Sequence, residues 1–187
     1  MEERLVITEV RLRALEPEDV DKLYLWENDK EMWPYGATRA PLSRHQLWEY
    51  TTNYDANPFA AGQLRLMIDI TVEACDGATV ASFRTVSCGT IDLYDIDPVN
   101  SRTMVGIMIA PQWSKKGIGS KALTLVSDYC RDTLGLSLIA SEVASDNIPS
   151  VKLFKEKAQY QYVGNRPEWF RRGNSFISAL LFQKSLR

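Results

Sequence analysis

The chain has 187 residues, of which 45% are apolar and 25% charged, and its formal net charge is −2. These values are typical of a globular protein with a sizeable core, and the slightly acidic balance excludes a general attraction to nucleic acid or to a membrane surface. A run of about 18 apolar residues, which would predict a membrane span, is absent, and the N-terminus lacks the cationic start and apolar stretch of a signal peptide. We therefore expect one domain, residues 1–187, in a cytoplasmic protein that binds neither nucleic acid nor membrane.

The hydrophobic pattern predicts a mixed order of helices and strands. Because strands come both in succession and in alternation with helices, we expect an α/β domain with a partly antiparallel sheet. The predicted strands are Val6–Leu15, Leu64–Glu73, Val86–Ile96, Thr103–Ala110, Leu136–Ala144, Tyr160–Gly164 and Ser175–Gln183. The predicted helices lie within Glu16–Asp29, within Pro41–Tyr54 with Ser43 as N-cap, at about Gly119–Thr133, and within Asp146–Ala158.

The residues that commonly bind metals are few and scattered. Cys75, Cys88 and Cys130 are far apart in the sequence, which argues against a disulfide framework and against a zinc cluster. The single histidine, His45, has no carboxylate or thiolate at a suitable spacing. We expect His45 to be a surface or capping residue, and we expect no metal.

The stretch SKKGIGSKAL, Ser114 to Leu123, joins an apolar strand to a predicted helix. Free backbone amides at a helix N-terminus attract phosphate, and glycines let the backbone approach it closely. Lys115, Lys116 and Lys121 add local positive charge, so a pyrophosphate would be well matched. The alternative is a tight turn between strand and helix with solvated lysines.

A dinucleotide-binding site is a second interpretation of the same loop. The letters GIGSKA match G-x-G-x-x-A, and Glu142 ends the next strand about 20 residues later, as that fingerprint requires. However, the first glycine of such a turn follows the strand almost directly, whereas PQWSKK intervenes here. The remaining chain is also too short for a second mononucleotide-binding half.

The strand VGIMIA, the loop PQWSKKGIGSKAL and the later segment SEVASDNIPSVKLFKEK together resemble the GCN5-related N-acetyltransferases, or GNAT superfamily. The resemblance covers most of the chain and is greatest to the branch that includes ribosomal-protein alanine acetyltransferases and spermidine acetyltransferases. It implies a sheet with a V-shaped splay between two central parallel strands, flanked by helices. It also implies transfer of an acetyl group from acetyl-CoA to a primary amine, by direct attack in a ternary complex.

The resemblance assigns residues to the coenzyme. The loop would donate its amides to the pyrophosphate, the splayed strand would pair with the pantetheine arm, and Asn147 would bond the same arm unless it is only a helix cap. The loop residues are Ser114, Lys115, Lys116, Gly117, Ile118, Gly119 and Ser120, and the strand residues are Ile107, Met108 and Ile109.

Two positions depart from the family pattern. Ser114 stands where the family usually has arginine or glutamine. Phe154 stands where the family often has a tyrosine that protonates the departing thiolate, and the following segment is one residue longer than usual. Phe154 could pack against the coenzyme arm or in the core. Tyr160 or Tyr162 are the alternative proton donors, and loss of such assistance slows a reaction by about 10²–10⁴-fold.

The acceptor side is less defined by the sequence. Glu142 and Asp92 are candidate bases for the amine, with surface charge or ion pairing as the alternative, and strand amides could stabilise the oxyanion. Trp33, Tyr35 and Trp169 could line a cleft or stack on a cationic amine.

The acceptor would be a small amine, a polyamine or a peptide N-terminus. The peptide is slightly favoured because the sequence has no dense acidic stripe. A homodimer is compatible with the family. The alternative functions are a weakly active or inactive acetyl-CoA-binding sensor of the same fold and a dinucleotide-binding protein.

Overall fold

A computed structural model describes residues 4–36, 39–76 and 79–187, with side chains described over 6–36, 39–73 and 82–187. Its strands are β1 (Arg4–Ala14), β2 (Gln63–Asp76), β3 (Thr79–Asp97), β4 (Arg102–Ile109), β5 (Leu138–Ala144), β6 (Gln161–Arg172) and β7 (Ser175–Ser185). Its α-helices are α1 (Val20–Glu27), α2 (Arg44–Thr52), α3 (Pro58–Ala61), α4 (Ile118–Asp132) and α5 (Ile148–Lys152). Short 3₁₀ turns occur at Pro17–Asp19, Trp33–Tyr35 and Pro111–Trp113, and a π-helical turn, Leu153–Lys157, continues α5.

The described strands form one seven-stranded sheet in the order β1-β2-β3-β4-β5-β7-β6. Neighbouring strands are antiparallel except for β4 and β5, which are parallel and joined by α4. A parallel pair needs a crossover of this kind, whereas hairpins join antiparallel strands. The predicted α/β class with a partly antiparallel sheet is confirmed.

The central parallel pair separates after a short contact. Residues Arg102–Met104 of β4 pair with Leu138–Ala140 of β5, and no later pair joins the two strands. Beyond this point β4 keeps its antiparallel partner β3 as far as Ile109, and β5 keeps β7 as far as Ala144. The two halves of the sheet therefore diverge, which confirms the predicted V-shaped splay.

The core lies between the sheet and α4. This helix buries one stripe against the strands, formed by Ile118, Ala122, Leu123, Val126 and Cys130. A smaller cluster on the other face packs α1 and α2 against β2, through Leu15, Leu23, Leu47 and Met67. Burial on both faces explains why the central strands are nearly continuous apolar runs.

A polar network joins β1, β2, β3 and the turn before α1. Arg13 donates to both carboxylate oxygens of Asp19 at 2.7 Å and to Asp69 at 2.9 Å, and Ser87 donates to Asp69 at 2.8 Å. Burial works to raise the pKa of Asp19, but the hydrogen bonds from Arg13 and the Glu16 amide outweigh it and lower the pKa below its ordinary value. Asp19 therefore stabilises the fold above its ordinary pKa, and this contribution is lost on acidification.

Several local predictions are confirmed and others are wrong. Ser43 caps α2, accepting from the Gln46 amide at 3.1 Å. The β2–β3 hairpin is longer than predicted, because cross-strand pairing continues beyond the alternating segments as far as Asp76 and Thr79. Strand β6 likewise continues to Arg172, and the short helix α3 was not predicted.

The residues predicted to have no metal role are also located. His45 is exposed on α2, as expected, but the expectation that no carboxylate lies at a suitable spacing was wrong, because Glu49 follows one helical turn later with a carboxylate oxygen 3.5 Å away. Cys88 and Cys130 are buried free thiols, and burial raises the pKa of each to about 12. The side chain of Cys75 lies outside the described residues.

Gly89 is required where β3 and β4 approach each other. A Cβ at this position would lie 2.1 Å from the backbone oxygen of Met108, a distance that only a backbone shift could relieve. We expect Gly89→Ala to lower the free energy of unfolding by about 3 kcal/mol, as overpacking against a rigid neighbour does. Urea denaturation measures the effect.

Gly106→Ala is the matched control, since a Cβ there would meet only the Tyr94 ring, at an ordinary 3.8 Å. A loss from Gly89→Ala no larger than the loss from Gly106→Ala would contradict this account of the strand packing.

Candidate active site

The loop before α4 is shaped to expose backbone amides. A 3₁₀ turn follows β4, and Lys115 (φ 61°) and Gly117 (φ 80°) then adopt left-handed conformations. Within the described part of the chain, no acceptor bonds the amides of residues 115–120; the first helical bond of this region runs from Lys121 N–H to Gly117 O, at 3.2 Å. Successive free amides at the start of a 15-residue helix attract an anion.

Contacts on both sides hold the loop in place. A Cβ on Gly119 would lie 3.1 Å from the Leu153 side chain, so glycine allows the loop to approach the π turn. Ser120 Oγ donates to Lys157 O at 3.1 Å. On the other side, Lys116 and Lys121 line a surface cavity of about 160 Å³ with residues of β1. The loop is thus fixed between β1 and the segment that carries Phe154.

The predicted coenzyme strand has one free edge. Residues Ile107, Met108 and Ile109 pair with β3, but the edge that faces β5 has no partner strand after Met104. Backbone groups at such an edge can bond an extended ligand as they would bond a strand. The structure brings this edge and the α4 loop together, since only Ala110, the Pro111–Trp113 turn and Ser114 separate them.

Asn147 lies at the end of β5, where it caps α5. Its Oδ1 accepts from the Ser150 amide at 3.2 Å, which is the alternative that the sequence allowed. No described residue bonds its side-chain NH₂, so the donor half of this amide is available. Its role toward the coenzyme stays a prediction.

Phe154 is a core residue in this structure. Its ring is 2% exposed, stacks on Phe182 with centroids 6.2 Å apart, and meets Tyr160 edge-on at 5.0 Å. The π turn that begins at Leu153 absorbs the extra residue noted in the sequence, through a bond from Ala158 N–H to Leu153 O at 2.8 Å.

The two tyrosines predicted as alternative proton donors differ in exposure. Tyr160 is 2% exposed, and burial raises its pKa well above the ordinary value. Its hydroxyl lies beside the hydroxyl of Ser127. Ser127 donates to Leu123 O at 2.6 Å and not to Tyr160, so the Tyr160 hydroxyl has no partner among the described residues. Tyr162 is exposed on β6, next to Phe182. Neither position supports a role as proton donor, and that role stays a prediction.

The candidate base Asp92 is held in an ion pair on β3. Arg65 donates to its Oδ1 at 2.6 Å and to its Oδ2 at 3.2 Å, and also to Glu27 Oε1 at 2.8 Å. These carboxylates raise the pKa of Arg65 against the opposing effect of its burial. Asp92 is therefore a salt-bridge partner, which is the alternative role that the sequence allowed.

The candidate base Glu142 is also fully paired. It lies on β5 just beyond the last pair with β4; Arg166 bonds its Oε2, and Trp169 Nε1 donates to its Oε1 at 2.7 Å. Both partners come from β6, where the pairing with β7 is broken between Arg166 and Phe170 and Glu168 has a φ of 51°. Such a bulge re-aims side chains, and here it brings Arg166 and Trp169 to the same carboxylate.

Tyr94 is a site residue that the sequence reasoning missed. It shares a face of β3 with Asp92, and its ring lies over Gly106 of β4. Burial raises the pKa of its hydroxyl to about 12, and the negative charge of Glu142 acts in the same direction. The alternation in DLYD, where Asp92 and Tyr94 are two residues apart in a strand, could have identified it.

The aromatic residues near α1 lie farther along the same face. Trp33 Nε1 donates to Glu27 O at 2.8 Å, while Tyr35 is exposed beneath Arg172, whose guanidinium carbon is 5.4 Å from the ring centroid. Arg172 in turn bonds Asp146 at 2.7 Å. The arginines were not predicted, because nothing in the sequence shows which distant carboxylate each one meets.

The described residues contain neither a cluster of metal-binding side chains nor a helix suited to cross a membrane. Over residues 6–36, 39–73 and 82–187, whose side chains the structure describes, no three side chains of the metal-binding types come together. None of the described helices is both long enough and apolar enough to cross a bilayer.

Comparison with known proteins identifies the family. The model of the acetyltransferase (GNAT) domain matches residues 9–157, which include the strand, loop and asparagine described above. The chain belongs to the GNAT acetyltransferase family. The family resemblance seen in the sequence is thereby confirmed, and the dinucleotide interpretation of the loop has no support.

Individual GNAT relatives are more distant. The spermidine N(1)-acetyltransferase of Escherichia coli strain K12 is 23% identical over 147 residues, which cover 79% of this chain and 70% of that protein. The Vibrio cholerae spermidine N-acetyltransferase solved with CoA and spermine has a TM-score of 0.76 at 22% identity, covering 96% of each chain. A dodecameric form of that enzyme has a TM-score of 0.70 at 21% identity, covering 96% of this chain and 95% of that one. These structures share the GNAT fold.

The burial of Phe154 leads to a prediction. A hydroxyl added to this ring by Phe154→Tyr would lie among aromatic side chains, and a buried hydroxyl without a partner costs about 1–3 kcal/mol. We expect the free energy of unfolding to fall by that amount, with no gain in kcat. Chemical denaturation and release of free thiol from acetyl-CoA measure the two effects.

Phe182→Tyr is a control for a hydroxyl added to the adjacent core ring. A rise in kcat for Phe154→Tyr without loss of stability would show that position 154 faces the reacting thioester.

Proposed function

We propose that residues 1–187 form one N-acetyltransferase domain that moves the acetyl group of acetyl-CoA directly to a primary amine in a ternary complex. The observation that carries the proposal is the free β4 edge in the splay, lying directly beside the amide-lined loop of α4. An extended chain with a pyrophosphate at one end fits this combination, since the edge offers strand-like bonds and the loop an anion site.

Each group of residues has a proposed role toward the coenzyme. The free amides of residues 115–120 bind the pyrophosphate, and Lys115 and Lys116 add charge. The Ser114 amide, which the sequence also assigned to this role, donates instead to Pro111 O at 3.1 Å. The free edge at Ile107–Ile109 pairs with the pantetheine arm, and the free NH₂ of Asn147 donates to it. Acetyl-CoA, when bound, supplies an acetyl group activated as a thioester. Amides near Met108 stabilise negative charge that develops on the carbonyl oxygen.

The acceptor must lose a proton before it can attack. An alkyl ammonium has a pKa of about 10 and a peptide α-amino group a pKa of about 8, so most of either is protonated near neutral pH. We assign proton removal to Glu142 rather than Asp92, directly or through water, because Glu142 lies at the opening of the splay. With Phe154 in the core, the thiolate leaves without a side-chain donor from that position.

The acceptor is a primary amine, and two classes are candidates. The relatives described above are named for spermidine, whereas the sequence slightly favours a peptide N-terminus. The homodimer that the sequence allows stays a prediction.

A second function is favoured by one observation. Phe154 offers no hydroxyl and is 2% exposed, which suits a weakly active or inactive acetyl-CoA-binding sensor of the same fold. Thiol release with a panel of amines and peptides, alongside isothermal titration with acetyl-CoA, separates the two functions. If the chain is an enzyme, we expect both saturable binding of acetyl-CoA and turnover. If it is a sensor, we expect binding without turnover. The absence of saturable binding at millimolar acetyl-CoA would exclude both.

The loop makes a specific prediction about coenzyme affinity. Ser120→Glu would place a carboxylate in the first turn of α4, next to the proposed pyrophosphate. We expect acetyl-CoA affinity to fall at least about tenfold, because like charges repel at short range. The variant also loses the bond from Ser120 to Lys157 O, so thermal unfolding must show that it remains folded. Isothermal titration measures the affinity.

Thr124→Glu is the matched control. Thr124 is exposed one turn further along α4, where its hydroxyl donates to Ser120 O at 3.2 Å. This variant adds the same charge away from the loop amides, so its affinity should stay within about threefold of the unmodified chain. Equal losses in the two variants would contradict a pyrophosphate site at the loop.

A further inference from the structure

Arginines of the chain itself occupy the aromatic rings on the acceptor side. The guanidinium carbon of Arg166 lies 4.8 Å from the centroid of Trp169, and that of Arg172 lies 5.4 Å from the centroid of Tyr35. These are two of the three rings that the sequence predicted to stack on a cationic amine. Since aromatic rings attract cations, each ring now holds a resident cation where an ammonium would otherwise bind.

The same arginines also occupy the carboxylates of this face. Arg166 bonds Glu142, and Arg172 bonds both carboxylate oxygens of Asp146 at 2.7 and 3.2 Å. Deeper along the sheet, Arg65 bonds Asp92. Asp92, Glu142 and Asp146, the carboxylates that an acceptor with several ammonium groups would meet here, therefore already have arginine partners.

The pairing of Glu142 is built into the fold. The β6 bulge points Arg166 and Trp169 to the two separate carboxylate oxygens, so both oxygens have a donor. Arg166 pairs across the sheet with Ala179, which pairs with Ala144 of β5. These two alanines leave room for the arginine to cross from β6 toward β5. The Arg166 side chain remains 49% exposed, so an acceptor can reach it.

We infer that Arg166 determines the acceptor specificity, by selecting a primary amine that has no second cationic group near the reactive one. The inference rests on the proposed function. A second ammonium close to Glu142 would meet the guanidinium of Arg166, and like charges at short range repel. A monoamine or a peptide N-terminus with uncharged first residues avoids this repulsion, whereas a polyamine does not.

Butylamine and putrescine provide the test, because they differ only by the second amino group. With acetyl-CoA saturating, we expect kcat/KM for butylamine to exceed that for putrescine by about tenfold or more, after correction for the two equivalent amines of putrescine. Arg166→Met should bring the two values within about threefold, because the guanidinium that repels the second ammonium is then absent.

Arg171→Met is the matched control on the same strand. Arg171 donates to Gly173 O at 2.9 Å and, over the described residues, forms no ion pair. This variant should keep the butylamine preference. Arg166→Gln repeats the loss of charge with a polar side chain, and circular dichroism and thermal unfolding confirm that each variant is folded. A preference for putrescine in the unmodified chain, or a ratio unchanged by both Arg166 variants, would overturn the inference.

A binding measurement separates this inference from the proposed function. If none of the amines is acetylated, the proposed function fails, and titration with spermidine decides the question of specificity. We expect saturable spermidine binding at millimolar concentration for Arg166→Met and not for the unmodified chain. Equal spermidine binding by both proteins, or binding by neither, would overturn the assignment of Arg166.

Discussion

The separation of β4 from β5 after three residue pairs is the constraint on which the site depends. Backbone N–H and C=O groups in a sheet interior are costly to leave unpaired, yet β4 continues to Ile109 with a partner on only one side. The unpaired backbone groups of β4 lie where the chain leaves the sheet and enters the α4 loop, which has free amides of its own. The two sets of unsatisfied groups are thus contiguous, and one extended anionic ligand could satisfy both.

The carboxylates on the acceptor side are held in ion pairs with arginines. Asp92, Glu142 and Asp146 come from β3, β5 and the loop before α5, and each is bonded by an arginine from a different part of the sequence. Such pairing fixes the carboxylates in position. It also means that the proton removal proposed for Glu142 requires the carboxylate to act while it retains both hydrogen-bond donors, or to exchange one donor for the amine.

Local patterns predicted the parts of the molecule that are determined locally. The apolar run of β4, the glycine turn at the start of α4 and the N-cap at Ser43 each depend on neighbouring residues, and all three are as expected. The partners of Glu142 could not be predicted in this way, because Arg166 and Trp169 reach it only through a bulge on a strand 24 residues or more away. The family motif named Phe154, but its burial depends on Phe182 and on a π turn that no periodicity indicates.

The bulge on β6 also affects an outer boundary of the molecule, since β6 is the last strand of the sheet. Outer strands tend to recruit strands from other molecules, and natural proteins limit this with prolines, charges and local twists. Here Pro167 has no N–H to offer, Glu168 turns the chain away, and Arg166 and Arg171 place charge on either side. The distortion that orients side chains toward Glu142 thereby also divides the outer strand into two short segments, which are poor templates for aggregation.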